Sequence, residues 1–300
     1  MGGKIGVNIF VIISGYYLIN DNGKVFNIYK IAKFVGQVIF YSIVMFMIMN
    51  FNHIGDLSIK SFVQALFPIT YEQWWFASTY FVLFLMHPFL NILLKNLDKN
   101  MYQKFLFVLI ICWSVIPTIT NSSYQSNSLL WFVTLYSIAG YIRLYGLNDK
   151  YTIKHYVILL ILSVTVTYAS SVVFAVLGMK WSFFSSHDTY FYDQEKITMQ
   201  LISLCLFMIF VNLNINYCKW INTAASATFG VYLIHDHSSI RRFLWMDLFQ
   251  NAKYQETMLL IPYSIFVVLV VYVVCTLIDL LRQQMIEKPC MILLKRYSEK

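Results

Sequence analysis

The stretch Phe229-Gly-Val-Tyr-Leu-Ile-His-Asp-His-Ser-Ser-Ile-Arg-Arg242 closes an apolar run with two imidazoles, a carboxylate and two guanidiniums. An imidazole beside a carboxylate can be oriented and held basic, which is what removing a proton from a hydroxyl requires. On that ground His235 is the candidate catalytic base, and His235, Asp236 and Arg241 are candidate substrate contacts. His235 and His237 are two residues apart, so on one helix they point to different sides, and no shared metal is expected. A second reading stays open, in which the cluster is an interfacial polar group where a helix leaves a membrane.

Three further places carry polar groups inside apolar sequence. In Gly6-Val-Asn-Ile-Phe-Val-Ile-Ile-Ser-Gly-Tyr-Tyr17, Asn8 and Ser14 are candidate substrate contacts, or else helix-packing groups, and Gly15 lets a second backbone or a ligand come close. In Tyr71-Glu-Gln-Trp-Trp-Phe-Ala-Ser-Thr-Tyr80, Trp74 and Trp75 fit an interfacial belt at the outer face, while Trp75 and Tyr80 could also hold a sugar ring. Pro88, after His87, should kink its helix and free a carbonyl. Arg143 lies at a helix end and is the candidate contact for a phosphate of coenzyme A, or else a topology anchor. Asp279 and Arg282 are three apart and fit a local ion pair. The five cysteines include no CxxC pair and fit neither a disulfide framework nor a metal site. No GxGxxG, P-loop or HExxH is present.

These residues must be positioned by membrane helices. Hydrophobic residues make up 59% of the 300 positions and charged residues 12%, against roughly 25% charged in a soluble domain. That leaves too little polar surface to solvate a globule. Nine apolar stretches can be marked, at 5–20, 31–50, 74–94, 105–120, 128–142, 155–178, 197–215, 223–240 and 257–281. Most approach the roughly 20 residues a helix needs to cross the hydrocarbon core. The expected fold is therefore all-α: a single polytopic bundle over residues 1–300 and no soluble domain.

The charges orient the bundle. If 21–33 is cytoplasmic and sides alternate, the cytoplasmic segments hold 15 of the 22 Lys and Arg residues and the other side seven. This bias follows the positive-inside rule in a plasma membrane, with the C-terminus cytoplasmic. The tail 282–300 mixes basic and apolar residues and is expected on the inner membrane surface. The net charge of +8 comes from residues scattered singly between apolar runs, so a nucleic-acid partner is not expected. The start of the chain then faces outside with only Lys4 before the first stretch, as if one preceding helix were missing.

Four stretches resemble, in order, the membrane acyltransferases of the acyltransferase-3 superfamily, especially its exopolysaccharide O-acetyltransferase-like branch. They are GVNIFVIISGYYL (6–18), FPITYEQWWFASTYFVLFLMHPFLN (67–91), SLLWFVTLYSIAGYIRLYG (128–146) and FGVYLIHDHSSIRR (229–242). The resemblance implies about ten helices, against nine stretches here. It also implies transfer of an acyl group, usually acetyl from cytoplasmic acetyl-CoA, to a sugar hydroxyl of a cell-surface or exported polysaccharide. No permanently bound cofactor is implied. In the family a histidine regarded as the catalytic base sits on a helix before the GVNIFVIISGY-like stretch. Nothing before Gly6 can match that motif, so the resemblance assigns no catalytic histidine here. Two other functions fit the same spans: an exporter of a polysaccharide or lipid-linked sugar, and an inactive truncated membrane protein. The sequence shows no inverted halves of the kind many transporters carry.

Overall fold

The computed structural model describes residues 2–21, 27–51, 58–147 and 151–298. Among them, all regular structure is helical. In chain order the helices are α1 (Gly2–Leu18), α2 (Ile28–Phe51), α3 (Ile59–Leu66), α4 (Trp75–Lys95), α5 (Lys99–Ile110), α6 (Ile116–Thr120) and α7 (Ser128–Tyr145). They continue with α8 (Ile153–Gly178), α9 (Ile197–Asn212), α10 (Lys219–His235), α11 (Ser238–Arg242), α12 (Leu260–Arg282) and α13 (Lys288–Ser298).

Every one of the nine apolar stretches falls on a helix, and six helical segments are long and apolar enough to cross a membrane. These are Ile28–Phe51, Trp75–Lys95, Lys99–Thr120, Ile153–Gly178, Tyr190–Asn212 and Leu260–Arg296. The other three, α1, α7 and α10, are 17 or 18 residues long. Of these, α7 buries ten of its residues against protein. Its Thr134 and Ser137 hydroxyls donate to carbonyls of their own helix, which makes polar groups tolerable away from water. By contrast α8 exposes large apolar side chains such as Ile158, Leu162, Val172 and Val176 along its length. A helix apolar on its outward face finds its solvent in lipid. The chain is a multi-pass membrane protein.

The chain clusters into two compact units, Met1–Gly23 with Thr79–Ile215, and Lys24–Ser78 with Asn216–Lys300. In the first unit α1 packs on α7 and α9, α8 on α9, and α5 on α7. Gly15 makes the α1–α7 approach possible, because a Cβ there would stand 3.0 Å from both the Cα and the carbonyl oxygen of Tyr136. The fully buried Asn8 accepts from Trp131 Nε1 at 3.0 Å and donates to the Gln194 carbonyl at 2.9 Å. Tyr102 Oη ties α5 to α7 by donating to the Ser137 carbonyl at 2.8 Å.

Two prolines set local features of this unit. Pro88 has no N–H for the carbonyl four residues back, that of Phe84, and the neighbouring His87 Nδ1 takes up that oxygen. His87 Nε2 then lies 4.0 Å from Asp21 Oδ2. Before Pro117 the helix widens into a π segment, Ile111–Val115. The Pro117 carbonyl accepts from Lys196 Nζ at 2.7 Å, and Nζ also donates to Asn121 Oδ1 at 3.1 Å. Nζ stands 4.1 Å above the centroid of the Tyr190 ring. This anchors a lysine that is 2% exposed.

The second unit packs α10 on α12, α2 on α3 and α10, and α13 on α2. Val38, Tyr41, Met45, Trp74, Val231, Leu233, Val267 and Val271 belong to its apolar core. A closed polar network interrupts that core. Asp279 is fully buried, and its Oδ1 accepts from Tyr41 Oη at 2.7 Å, Arg282 Nε at 2.8 Å and Gln37 Nε2 at 3.2 Å. Its Oδ2 accepts from Gln283 Nε2 at 2.8 Å. The expected Asp279–Arg282 pair is thus one edge of a larger web. The π segment Gln283–Glu287 brings Glu287 to Arg282 at 2.8 Å, and Glu287 also pairs with Lys33 at 2.8 Å.

Candidate functional site

The fold separates the two histidines of the Phe229–Arg242 stretch, because α10 ends between them. Helix α10 ends at His235, with Asp236 as its C-cap residue. His235 is half-buried, and its Nδ1 donates back to the Val231 carbonyl of the same helix at 2.6 Å. Asp236 meets Arg241 at 3.5 Å, at a partly exposed position. His237 occupies the joint between α10 and α11, past the end of the helix, and turns inward. It is 9% exposed, and its Nδ1 has no hydrogen-bond partner.

His237 lines a cavity of about 300 Å³ within the second unit. Neutral polar side chains form much of the wall: Ser42 and Asn50 from α2, Ser61 and Gln64 from α3, Gln73 from the turn before α4, and Ser238 and Ser239 from the start of α11. Phe46, Met49 and Ala65 supply apolar wall. Ser42 Oγ donates to Gln73 Oε1 at 2.6 Å, which fixes one side of the chamber. Helix α3 is held by a reciprocal cap: Ser58 Oγ accepts from the Ser61 N–H at 3.1 Å, and Ser61 Oγ accepts from the Ser58 N–H at 3.2 Å. The Trp74 ring lies 5.3 Å from the His237 ring. Trp74 is 2% exposed, not an interfacial belt residue, and its Nε1–H is likewise without a partner. Trp75 beside it is the exposed one of the pair.

An unpaired buried donor and an unpaired buried acceptor are each costly. Burial also pushes the His237 pKa down to about 4, because the charged imidazolium loses its hydration there. The ring is therefore neutral at physiological pH. With its proton on Nε2, it offers Nδ1 as a base or as an acceptor toward a hydroxyl.

The remaining sequence candidates lie in the first unit. Ser14 Oγ donates to the Phe10 carbonyl at 2.9 Å and accepts from Tyr80 Oη at 3.0 Å, so the two candidates contact one another. Asn8 has its side-chain amide engaged on both ends, as described above. Arg143 Nη1 donates to Tyr16 Oη at 3.0 Å, and its guanidinium stacks 4.8 Å from that ring's centroid. These two residues sit beside Ile13, Phe207 and Phe210 along an apolar groove of about 400 Å³. A guanidinium at the side of such a groove can meet a phosphate while the groove takes an apolar chain. Among the described residues, no group of three or more His, Cys, Asp and Glu is placed to hold a metal.

The sequence-level candidate in this stretch is His235, and the residue that the structure buries is His237. The i, i+2 spacing said the two rings diverge without saying which one faces protein. The signal that could have singled out His237 is its place past the helix end, where Asp236 stops the helix and Ser238-Ser239 begins another. A family model described as Acyltransferase domain matches residues 1–280. No curated protein and no solved structure matches the chain.

Proposed function

The chain belongs to the acyltransferase-3 superfamily, and on that premise we propose that it transfers an acetyl group from cytoplasmic acetyl-CoA to a hydroxyl of a cell-surface or exported polysaccharide. The observation that carries this reading is His237, buried and neutral with an unpartnered Nδ1, in the wall of a chamber of hydroxyls and amides. A sugar hydroxyl bound there gives its proton to the imidazole as its oxygen attacks the thioester carbonyl. The new C–O bond forms, the C–S bond breaks, and the coenzyme sulfur leaves and takes up a proton. Arg143, in the first unit, is the residue with the chemistry to contact a donor phosphate. Donor and C-terminus are cytoplasmic in this reading, and the His237–Arg242 segment faces outward, consistent with the Lys and Arg bias.

The test is genetic. Cells lacking the protein should lose an acetyl ester from a surface glycan, and the intact chain should restore it. An unchanged acetyl content in the deletion strain contradicts the proposal. Loss of glycan export with normal acetylation points instead to an exporter.

A further inference from the structure

The chamber around His237 also carries a statement about which hydroxyl compounds it takes, resting on the reading above that this site receives the acceptor. Its described wall contains serine hydroxyls and asparagine and glutamine amides, together with one neutral imidazole, and no Lys, Arg, Asp or Glu. Hydroxyls and amides both donate and accept, so they can match the alternating donors and acceptors of a polyol ring in many orientations. They do not supply a countercharge. A carboxylate or phosphate brought into this space would give up part of its hydration without gaining a cation from the described wall, which is unfavourable. The charged groups nearby, Arg242 and Asp247, line a neighbouring cavity of about 650 Å³ that shares Met49, Ser238 and Ser239 with the chamber. They are of opposite sign, and neither lines the chamber itself.

The size points the same way. At about 300 Å³ the chamber sits at the lower end of small-molecule sites, which run from roughly 300 to 1,000 Å³. That is room for one sugar ring in the chamber itself. Gln73, fixed by Ser42, and Gln64, on α3, are the two glutamine amides of the wall, and His237 lies in the same wall.

We propose that the His237 chamber is a binding site for a single uncharged sugar ring, and that it discriminates against sugars bearing a carboxylate or a phosphate. The discrimination comes from Ser42, Gln64, Gln73 and His237 offering hydrogen bonds without charge.

The full-length chain in detergent, without any acyl donor, provides the test. Saturation-transfer NMR would compare a neutral methyl hexoside with the matching methyl uronide. The hexoside should bind saturably and the uronide about tenfold or more weaker, one lost charged-group compensation being enough for that ratio. His237→Ala should weaken hexoside binding about tenfold. Gln64→Ala, at a partly exposed position, should weaken it severalfold while leaving the size-exclusion profile of wild type. Equal or tighter binding of the uronide overturns the inference, as does hexoside binding indifferent to both variants. Because no donor is present, neutral-sugar binding in a protein whose deletion leaves glycan acetylation intact would sink the transferase reading and keep this one. Acetylation confined to uronic acid residues would do the reverse.

Discussion

Replacing Gly230 with alanine puts a methyl group where the Asp279 carboxylate already lies. A Cβ built on Gly230 would overlap Asp279 Oδ1 and Cγ and stand 2.7 Å from Asp279 Cβ. Those atoms cannot yield cheaply. The carboxylate is fully buried and held by Tyr41, Gln37, Arg282 and Gln283. Making room means moving it off Tyr41 and Arg282, which leaves a buried charge poorly paired, at a cost of about 3–5 kcal/mol. Alanine recovers about 1 kcal/mol of helix propensity over glycine, so the expected net loss is about 2–4 kcal/mol. Gly36 on α2 is the control, since a Cβ there meets nothing within 4 Å. Gly36→Ala should be neutral or stabilising by up to about 1 kcal/mol. The assay is thermal unfolding of detergent-solubilised protein followed by size-exclusion fluorescence. In an Asp279→Ala background, Gly230→Ala should cost far less, because the two substitutions remove the same clash. A Gly230→Ala protein that melts at or above wild type would refute the reasoning.

Two further outcomes follow from buried groups. Lys196→Met keeps the apolar stem but removes the donors to the Pro117 carbonyl and Asn121. It should lower stability by about 1–3 kcal/mol in the same melting assay, whereas an unchanged melt would show that the ammonium is dispensable there. The pKa of His237 is lowered on folding, so the unfolded chain takes up this proton first. Stability from this group is complete above the ordinary histidine value of about 6.5 and declines as pH falls toward about 4. Between pH 7 and pH 5 wild type should lose about 2 kcal/mol more than a His237→Gln protein. Equal acid sensitivity of the two would mean the imidazole is not held neutral.

Much of this architecture is written in local sequence. Apolar runs of the length of a membrane crossing became helices because a helix satisfies its backbone groups within the segment, as lipid requires. Gly15 announced a close approach, and α7 is the helix that makes it. Pro88 announced a freed carbonyl, and the adjacent His87 is what answers it. What stayed hidden depends on partners far along the chain. Tyr41 and Asp279 lie 238 positions apart, so the polar web that joins them left no local signal. Lys196 reads as an ordinary loop cation until Pro117 and Tyr190 close around it. Helix α3 is too short to mark as a span, yet it supplies Ser61 and Gln64 to the chamber. His237 was visible, but its inward turn is set by the joint between α10 and α11 and not by helical periodicity.

The central claim is that this chain moves an acetyl group onto a sugar hydroxyl through the His237 chamber. The most direct measurement supplies labelled acetyl-CoA to membrane vesicles that carry either the wild-type chain or His237→Ala, and counts label in the glycan fraction. Ester-linked label with wild type, at least about a hundredfold reduced by His237→Ala while the protein still folds, is the predicted result. Equal labelling by the two proteins would contradict the assignment of His237. No ester-linked label above that of vesicles lacking the chain would contradict acetyl transfer itself.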